Sequence, residues 1–287
     1  MKLTSIAMVC LLISEVELKL RMQVPPKPRH HALKRPYSPI LKKQVERRVA
    51  EWSPQNKVNL WEISGQHEGD MLFHNFGRNG VIKKSERWPK GIIPYYITDD
   101  FSEEEKHIIL DAMDTFNRKT CVKFRPYKKG DKDFITIVSQ DAGCYSFVGH
   151  LDRGQVVNFQ KQCLRHGTIM HELLHVLGFF HQHSASERDD FITINWNNIK
   201  KGNENQFGKN NTTNFGEPYD YESVMHYSTL AFSKNKEPTI ITLRDGVEIG
   251  QRRGASVIDL NKVRKMYRCK KLKNNRLWRK KIHKRRG

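Results

Sequence analysis

The spacing of apolar residues changes along the chain, and the changes indicate which segments are helices and which are strands. Between residues 103 and 117, apolar side chains recur every three or four positions, which predicts an amphipathic helix. Ser102 and Glu105 form the capping-box pattern at the start of this helix. Two further helices are predicted over residues 168–178 and near residues 256–267.

Short apolar runs bounded by turn residues predict strands over residues 91–98, 121–124 and 134–138, and extended edge segments with turns over residues 143–160. Strands and a helix therefore precede the helix at 168–178, and a half with few regular elements follows it. The predicted fold class is α+β, with a mixed N-terminal sheet plus helices and a loop-rich C-terminal lobe. A cleft between the two lobes is the expected place for an extended substrate.

The first 78 residues have the character of processed segments. Residues 1–14 combine a basic start with a short apolar run, as in a secretory signal peptide, and fall short of the roughly 20 apolar residues of a membrane span. Residues 15–78 are polar and interrupted by prolines, and we interpret them as a pro-segment, with a disordered linker as the alternative. Cleavage between Arg78 and Asn79 by a trypsin-like enzyme would leave a folded domain at residues 79–269.

The net charge is concentrated at the C-terminus. The chain has 51 Lys and Arg against 31 Asp and Glu, a formal net charge of +20, and residues 270–287 contain ten of the basic residues and no acidic one. We interpret residues 270–287 as a basic tail that contacts polyanions such as sulfated glycans or anionic lipid, with a merely solvated tail as the alternative. No nucleic-acid partner and no membrane span are expected, and the predicted state is a monomer.

The remaining signals fit an exported chain. Of the five cysteines, Cys10 lies in the segment that would be removed, and an even set remains: Cys121, Cys144, Cys163 and Cys269. In a secreted protein such a set predicts two disulfides, for which three pairings are open; buried thiols are the alternative if the chain is not exported. Asn210 and Asn211 each begin an N-glycosylation acceptor pattern in a polar stretch. The expected location is secreted and extracellular.

The stretch with the most specific chemistry is His-Glu-Leu-Leu-His-Val-Leu-Gly-Phe-Phe-His, which runs from His171 to His181. Two histidines four residues apart leave the same face of a helix, so His171 and His175 can bind one ion. Gly178 can end the helix in a left-handed turn and return His181 as a third ligand. Three protein ligands with an open position are typical of one catalytic Zn²⁺, and Glu172 between them is placed to accept a proton from water. The alternative is a set of histidines without a metal.

The surrounding residues resemble the astacin family of zinc metalloendopeptidases, which belong to the metzincins, over nearly all of residues 88–269. The matching stretches are Arg87–Tyr95, Cys144–Gly149, Glu187–Asp189, Asn214–Ser228, Ile249–Arg252 and Met266–Cys269. The Ser-Val-Met-His-Tyr run that contains Met225 and Tyr227 is the Met-turn that follows the zinc motif in such enzymes.

The resemblance implies a two-lobed metzincin-type fold and a secreted zymogen that hydrolyses peptide bonds of extracellular proteins. Its zinc ligands would be His171, His175 and His181. Glu172 would be the general base for a zinc-activated water, and Tyr227 would hydrogen-bond the oxyanion. Two further implications concern structure: Met225 would be a packed support beneath the metal, and the disulfides would be Cys121–Cys269 and Cys144–Cys163.

The resemblance also implies latency through Asp70. The family's Phe-x-Gly-Asp motif places its aspartate on zinc, and this chain has His67-Glu68-Gly69-Asp70, so His67 is a departure. Two more departures are Gln182, where the family has Glu to meet the newly cut N-terminus, and Ala185, where Arg is common. Neither position carries a catalytic group.

Arg252 matches a family position that reads an acidic residue after the scissile bond. A guanidinium can bind a carboxylate with two parallel hydrogen bonds, which predicts that Arg252 contacts substrate. The alternative is that Arg252 pairs with an internal acid such as Asp259.

A non-catalytic binding protein on the same fold is the competing class of function. Loss of a zinc ligand or of the base would indicate such a protein, and this sequence retains all of them. Another zinc-protease family with the same histidine spacing is disfavoured because Tyr227 stands two positions after Met225 and because the cysteine spacing matches astacins.

Overall fold

The computed structural model describes residues 24–27, 39–73 and 84–270. The predicted signal peptide, the predicted cleavage site at Arg78 and Asn79, and residues 271–287 of the basic tail lie outside the described residues.

The described α-helices agree with the apolar spacing where that spacing is regular. Their bounds are α1 Pro39–Ala50, α2 Glu103–Lys119, α3 His166–Leu177 and α4 Val257–Met266. Helix α2 begins at Ser102, whose hydroxyl accepts a hydrogen bond from the Glu105 N–H at 3.3 Å, while the Glu105 carboxylate accepts one from the Ser102 N–H at 2.9 Å. This capping box satisfies main-chain donors that the helix itself leaves unpaired.

Helix α3 lies in the core and contacts α2 and the sheet. Its side chains from Thr168 to Leu177 are all buried, so the helix has no solvated face. The helix ends where Gly178 adopts φ 106°, a left-handed conformation that glycine reaches without the clash of a Cβ. This end directs the following residues back towards the helix.

The strands form a six-stranded mixed sheet and a two-stranded sheet, and the six-stranded sheet has the order β1-β5-β6-β4-β2-β3. Their bounds are β1 Met71–Leu72, β2 Ile92–Ile97, β3 Lys123–Pro126, β4 Ile135–Val138, β5 Cys144–Phe147, β6 Gln155–Phe159, β7 Ile192–Ile194 and β8 Ile240–Thr242. Strand β5 runs antiparallel to β6, and the other pairs in the large sheet are parallel. The antiparallel pair β7–β8 lies in the C-terminal half, which otherwise consists mostly of turns and 3₁₀ turns.

The expectation of edge segments over residues 143–160 is wrong for β6, which lies inside the sheet between β5 and β4. Buried strands are recognised by apolar runs, and β6 contains two polar side chains that interrupt such a run. The strand was therefore not predicted as an internal one. The Gln155 amide donates to the carbonyl of Gly149 and the Asn158 amide donates to that of Gly143, both at 2.9 Å. These hydrogen bonds offset the cost of burying two amides.

Residues 39–73, called the N-terminal segment below, pack against the rest of the chain. Val45 and Val49 of α1, together with Trp61, belong to the same apolar cluster as α3. The short strand β1 lies beside β5, with Met71 opposite Ser146. For these residues the disordered-linker alternative is therefore wrong.

The structure contains the disulfides Cys121–Cys269 and Cys144–Cys163, which is the pairing that the resemblance implies. The first joins residues 148 positions apart and ties the end of the domain to the segment after α2. Among the described residues, no helix combines the length and the apolar character needed to cross a membrane.

Candidate metal centre

Three histidines and one aspartate converge beside α3. His171 and His175 leave the same face of the helix, and the turn at Gly178 brings His181 to them. The Asp70 carboxylate lies among the three rings, with Oδ2 2.9 Å from His171 Nε2 and Oδ1 3.3 Å from His181 Nε2 and 3.4 Å from His175 Nε2. All four side chains are buried. The structure thus brings together the three predicted ligands and the aspartate predicted for the latent form.

The tautomers of the two helical histidines follow from their outer hydrogen bonds. His171 Nδ1 lies 2.8 Å from the carbonyl oxygen of Val224, and His175 Nδ1 lies 2.7 Å from that of Phe179. A carbonyl only accepts, so each Nδ1 carries the hydrogen and each Nε2 keeps its lone pair. Such outer partners are typical of metal-binding histidines, because they fix both the ring orientation and the tautomer.

The inner atoms of this cluster suit Zn²⁺. The ligand atoms of Asp70, His171, His175 and His181 all lie within 4.8 Å of one another. Within the described part of the chain, the buried atoms His175 Nε2 and Asp70 Oδ1 have no hydrogen-bond partner. Three imidazole nitrogens and one carboxylate oxygen form a four-ligand zinc set, and a cation would satisfy both atoms.

The neighbouring histidines stabilise the charged form of Asp70. Burial alone would raise the pKa of Asp70, but the electrostatic influence of His181 and His175 and the close contact with His171 together bring it well below its usual range. The carboxylate form, which is the form that ligates metals, is therefore favoured at this position.

Glu172 lies on the helical turn between the two histidines and is fully buried. Its Oε2 accepts a hydrogen bond from the Ser146 hydroxyl at 2.9 Å, and its Oε1 has no partner among the described residues. Burial, and then the nearby charge of Asp70, raise the pKa of Glu172, while the hydrogen bond from Ser146 opposes them. Ser146 was missed in the sequence, although it stands inside the quoted stretch Cys144–Gly149.

Tyr227 is buried beside the cluster and is engaged by the N-terminal segment. Its hydroxyl donates a hydrogen bond to the main-chain carbonyl of Glu68 at 2.5 Å, and its ring stacks on His183 with 3.6 Å between centroids. Burial raises the pKa of Tyr227 well above its usual range, so the hydroxyl remains a donor.

Glu68 was not singled out in the sequence, although it directly precedes Gly69-Asp70. Its Oε2 lies 3.0 Å from His181 Nδ1, and its Oε1 accepts a hydrogen bond from the Asn210 amide at 2.9 Å. It thus supplies for His181 the outer partner that main-chain carbonyls supply for the two helical histidines. Asn210, one of the two predicted acceptor sites, has its amide in this contact, whereas Asn211 is exposed.

Two further residues of the N-terminal segment approach the cluster, and sequence reasoning found neither. Trp61 stacks on the His171 ring with 4.2 Å between centroids. Glu62 accepts hydrogen bonds from the Ser228 N–H at 2.6 Å and the Ser228 hydroxyl at 2.7 Å. Burial raises the pKa of Glu62 to about 7, against the hydrogen bonds from Ser228 and Asn59. Glu62 and Ser228 are 166 positions apart in the sequence, which explains why no local pattern signals the contact.

Arg252 also faces the N-terminal segment. Its Nη2 donates to the main-chain carbonyl of Asn56 at 2.6 Å, and its guanidinium lies 5.7 Å from the centre of the Trp52 ring. Asp259 makes other contacts, since its carboxylate accepts from the Ser223 hydroxyl at 2.6 Å and caps α4. The alternative pairing of Arg252 with Asp259 is therefore wrong.

The positions that depart from the family pattern have defined contacts. The Gln182 side-chain oxygen accepts a hydrogen bond from the Lys262 ammonium at 2.6 Å. His67 packs edge-on against Phe73 with 5.3 Å between ring centroids. Ala185 and Met225 are buried, and Met225 belongs to the same apolar cluster as α3.

Comparisons with known proteins agree with this site. The model of the Astacin peptidase family matches residues 80–268. Zinc metalloproteinase nas-7 of Caenorhabditis elegans is 40% identical over 75% of this chain, and zinc metalloproteinase nas-13 of the same organism is 43% identical over 69% of it. The chain spans 59% of the first and 45% of the second.

A solved structure gives the same result. High choriolytic enzyme 1, a hatching enzyme zinc-protease from Oryzias latipes, is 37% identical to this chain with a TM-score of 0.62. The match covers all of that chain and 67% of this one. A relative therefore has a complete fold over a length close to that of residues 80–268, which the family model matches.

Proposed function

The chain belongs to the astacin family, and we propose that it is a secreted zinc-dependent endopeptidase that is made as an inactive precursor. The observation that carries the proposal is the convergence of His171, His175, His181 and Asp70 on one buried point. Members of the family are zinc-dependent peptide hydrolases, and the three histidines are the residues that would hold the ion. The substrates would be extracellular proteins or peptides.

Bound zinc would polarise the scissile carbonyl and make the attacking water more acidic. The protein's own part in proton transfer falls to Glu172. Its Oε1 has no hydrogen-bond partner among the described residues, so it is available to accept the proton of that water, while Oε2 accepts a hydrogen bond from Ser146. The same carboxyl group would later donate that proton to the leaving amine.

Tyr227 would stabilise the charge that develops on the scissile oxygen. Its hydroxyl already donates to a peptide carbonyl, that of Glu68, so the geometry for a carbonyl acceptor exists beside the cluster. A hydrogen bond that strengthens as negative charge develops accelerates the chemical step.

The N-terminal segment would keep the precursor inactive. Asp70 fills the fourth ligand position, and the main-chain carbonyl of Asp70 accepts a hydrogen bond from the Ser146 N–H of β5 at 3.1 Å. The segment therefore covers both the metal ligands and the free edge of the sheet that an extended peptide would use. Cleavage between Arg78 and Asn79, with release of residues 15–78, would expose them.

The remaining proposals concern substrate preference and location. Arg252, once released from Asn56, would bind an acidic side chain after the scissile bond. The proposed signal peptide at residues 1–14, the two disulfides and a glycan on Asn211 fit secretion. Residues 270–287 would contact polyanions, and the active form would be a monomer.

Hydrolysis of casein by the full-length protein, before and after limited trypsin cleavage, tests the proposed function. We expect activity after cleavage, its loss with a zinc chelator, and its return when Zn²⁺ is added back. Cleaved, folded and zinc-loaded protein that hydrolyses neither casein nor a peptide library would reject the proposal in favour of a binding protein on the same fold.

A further inference from the structure

Ser228 binds the carboxylate of Glu62 in the way that a binding site holds a carboxylate ligand. The Glu62 side chain is 1% exposed, and both of its oxygens accept hydrogen bonds from one residue that is distant in the sequence. The Ser228 N–H donates to Glu62 Oε1 at 2.6 Å, and the Ser228 hydroxyl donates to Glu62 Oε2 at 2.7 Å. The other donors to the carboxylate are the N–H and the amide of Asn59, which belongs to the N-terminal segment itself. Ser228 therefore supplies the domain's side of this carboxylate site.

The site is built into the domain beside the proposed catalytic residues. Ser228 directly follows Tyr227 in the chain. Gly250, with φ 80°, packs so closely behind Ser228 that a Cβ there would lie 2.5 Å from the Ser228 Cα. Only glycine can adopt this conformation and approach Ser228 this closely. This packing fixes the position of the Ser228 main chain, and the Ser228 N–H and hydroxyl donate to Glu62. Trp61, next to Glu62, stacks on the metal-ligand ring of His171.

Arg252 lies in the same region. Burial lowers the pKa of Arg252, and the charge of Glu62 opposes this shift. The guanidinium donates to Asn56 and lies over Trp52, which are also residues of the N-terminal segment. When that segment leaves, the Ser228 N–H, the Ser228 hydroxyl and the Arg252 guanidinium lose these partners together.

We infer that Ser228 and Arg252 form a carboxylate-binding subsite for an acidic substrate side chain, and that Glu62 occupies this subsite in the precursor. Ser228 binds the two carboxylate oxygens, and Arg252 supplies the positive charge that compensates them. The inference rests on the proposed function. It adds Ser228 to Arg252, the residue already predicted to determine substrate specificity. A purely structural contact would hold the segment in place but would not affect an added ligand.

The test uses binding, so it does not depend on turnover. Full-length protein that carries Glu172→Ala is cleaved with trypsin, freed of its N-terminal segment and loaded with Zn²⁺. The hatching-enzyme structure, which is covered over its whole length by 67% of this chain, supports the use of the cleaved domain. The probes are a fluorescent peptide with the sequence of residues 56–64 and the same peptide with Glu62→Ala.

We expect the Glu62 peptide to bind about ten-fold more tightly than its alanine version, since hydrogen bonds to a charged group contribute that much. Ser228→Ala in the protein should reduce this ratio to about two-fold or less, and Arg252→Ala should reduce it as well. Ser186→Ala, an exposed serine of the same lobe, is the matched control and should keep the ratio. Equal affinity for the two peptides overturns the inference without any variant, as does an unchanged ratio in folded Ser228→Ala.

Hydrolysis by the cleaved parent protein separates this result from the proposed function. Casein hydrolysis with equal peptide affinities would retain the peptidase and reject the subsite. A ten-fold ratio without hydrolysis would retain the subsite and reject the peptidase. In an active parent, peptides that carry Glu or Ala at successive positions around the scissile bond locate the residue that the subsite binds.

Discussion

The hydroxyl of Tyr227 donates its hydrogen bond to the main-chain carbonyl of Glu68, two residues before the aspartate that lies among the three histidines. The proposed oxyanion donor is thus hydrogen-bonded to the segment that is proposed to block it. While the N-terminal segment is in place, this donor is already used by a peptide carbonyl. Release of the segment would free the hydroxyl for substrate.

Tyr227→Phe should lower kcat of the cleaved protein by about 10²- to 10³-fold, the usual cost of one oxyanion donor, with zinc content unchanged. The matched control is Tyr221→Phe, because Tyr221 also donates to a main-chain carbonyl of the C-terminal lobe, that of Phe191 at 2.8 Å. Steady-state kinetics and metal analysis of both variants make the comparison. Equal small effects of the two substitutions would remove Tyr227 from the catalytic residues.

Glu172→Ala should keep the fold and the zinc but lose about 10²- to 10⁴-fold in turnover, the range attributed to general acid–base catalysis. The reason is that its Oε1, on the turn between His171 and His175, has no hydrogen-bond partner in the described part of the chain. Glu237→Ala, an exposed acid of the C-terminal lobe, serves as the control. Peptide cleavage at the parent rate by zinc-loaded Glu172→Ala would end the general-base assignment.

Sequence reasoning succeeded where the signal is local. The capping box of Ser102 and Glu105 spans four residues, and the HExxH pattern spans five, so both could be recognised without knowledge of the fold. Helix α1 was missed because its buried positions, Val45 and Val49, are surrounded by charged and polar residues. Contacts between distant residues, such as Glu62 with Ser228, leave no pattern in either segment and depend on the packing of the whole chain.

Glu62 should make the stability of the uncleaved protein depend on pH. Its pKa rises from 4.5 to about 7 on burial, so between these values the folded form holds a proton that the unfolded form releases. The contribution of Glu62 is therefore greatest below pH 4.5 and is lost as the pH rises towards 7, by at most about 3 kcal/mol. Above pH 7 both forms are ionised and the contribution stays constant.

Urea unfolding of the parent and of Glu62→Gln across this pH range checks the effect. The glutamine variant lacks the titrating group, so its advantage over the parent should grow as the pH rises towards 7. Glu46→Gln, an exposed acid on α1, is the control and should follow the parent. Parallel curves for the parent and Glu62→Gln would show that Glu62 does not titrate in this window.

Asp70 should keep the uncleaved protein inactive. In the uncleaved protein the Asp70 carboxylate lies 2.9 Å from His171 Nε2 and 3.3 Å from His181 Nε2, so it would fill the ligand position that a catalytic zinc must keep open. Asp70→Ala removes this carboxylate while the other contacts of the segment, at Trp61 and Glu62, remain. We expect the activity of the uncleaved protein to rise about 10- to 150-fold, as for the loss of one hydrogen-bonded charge. Glu51→Ala, an exposed acid of the same segment, is the control and should stay silent. An uncleaved, folded and zinc-loaded Asp70→Ala protein as inactive as the parent would assign the inhibition to the remaining contacts of the segment.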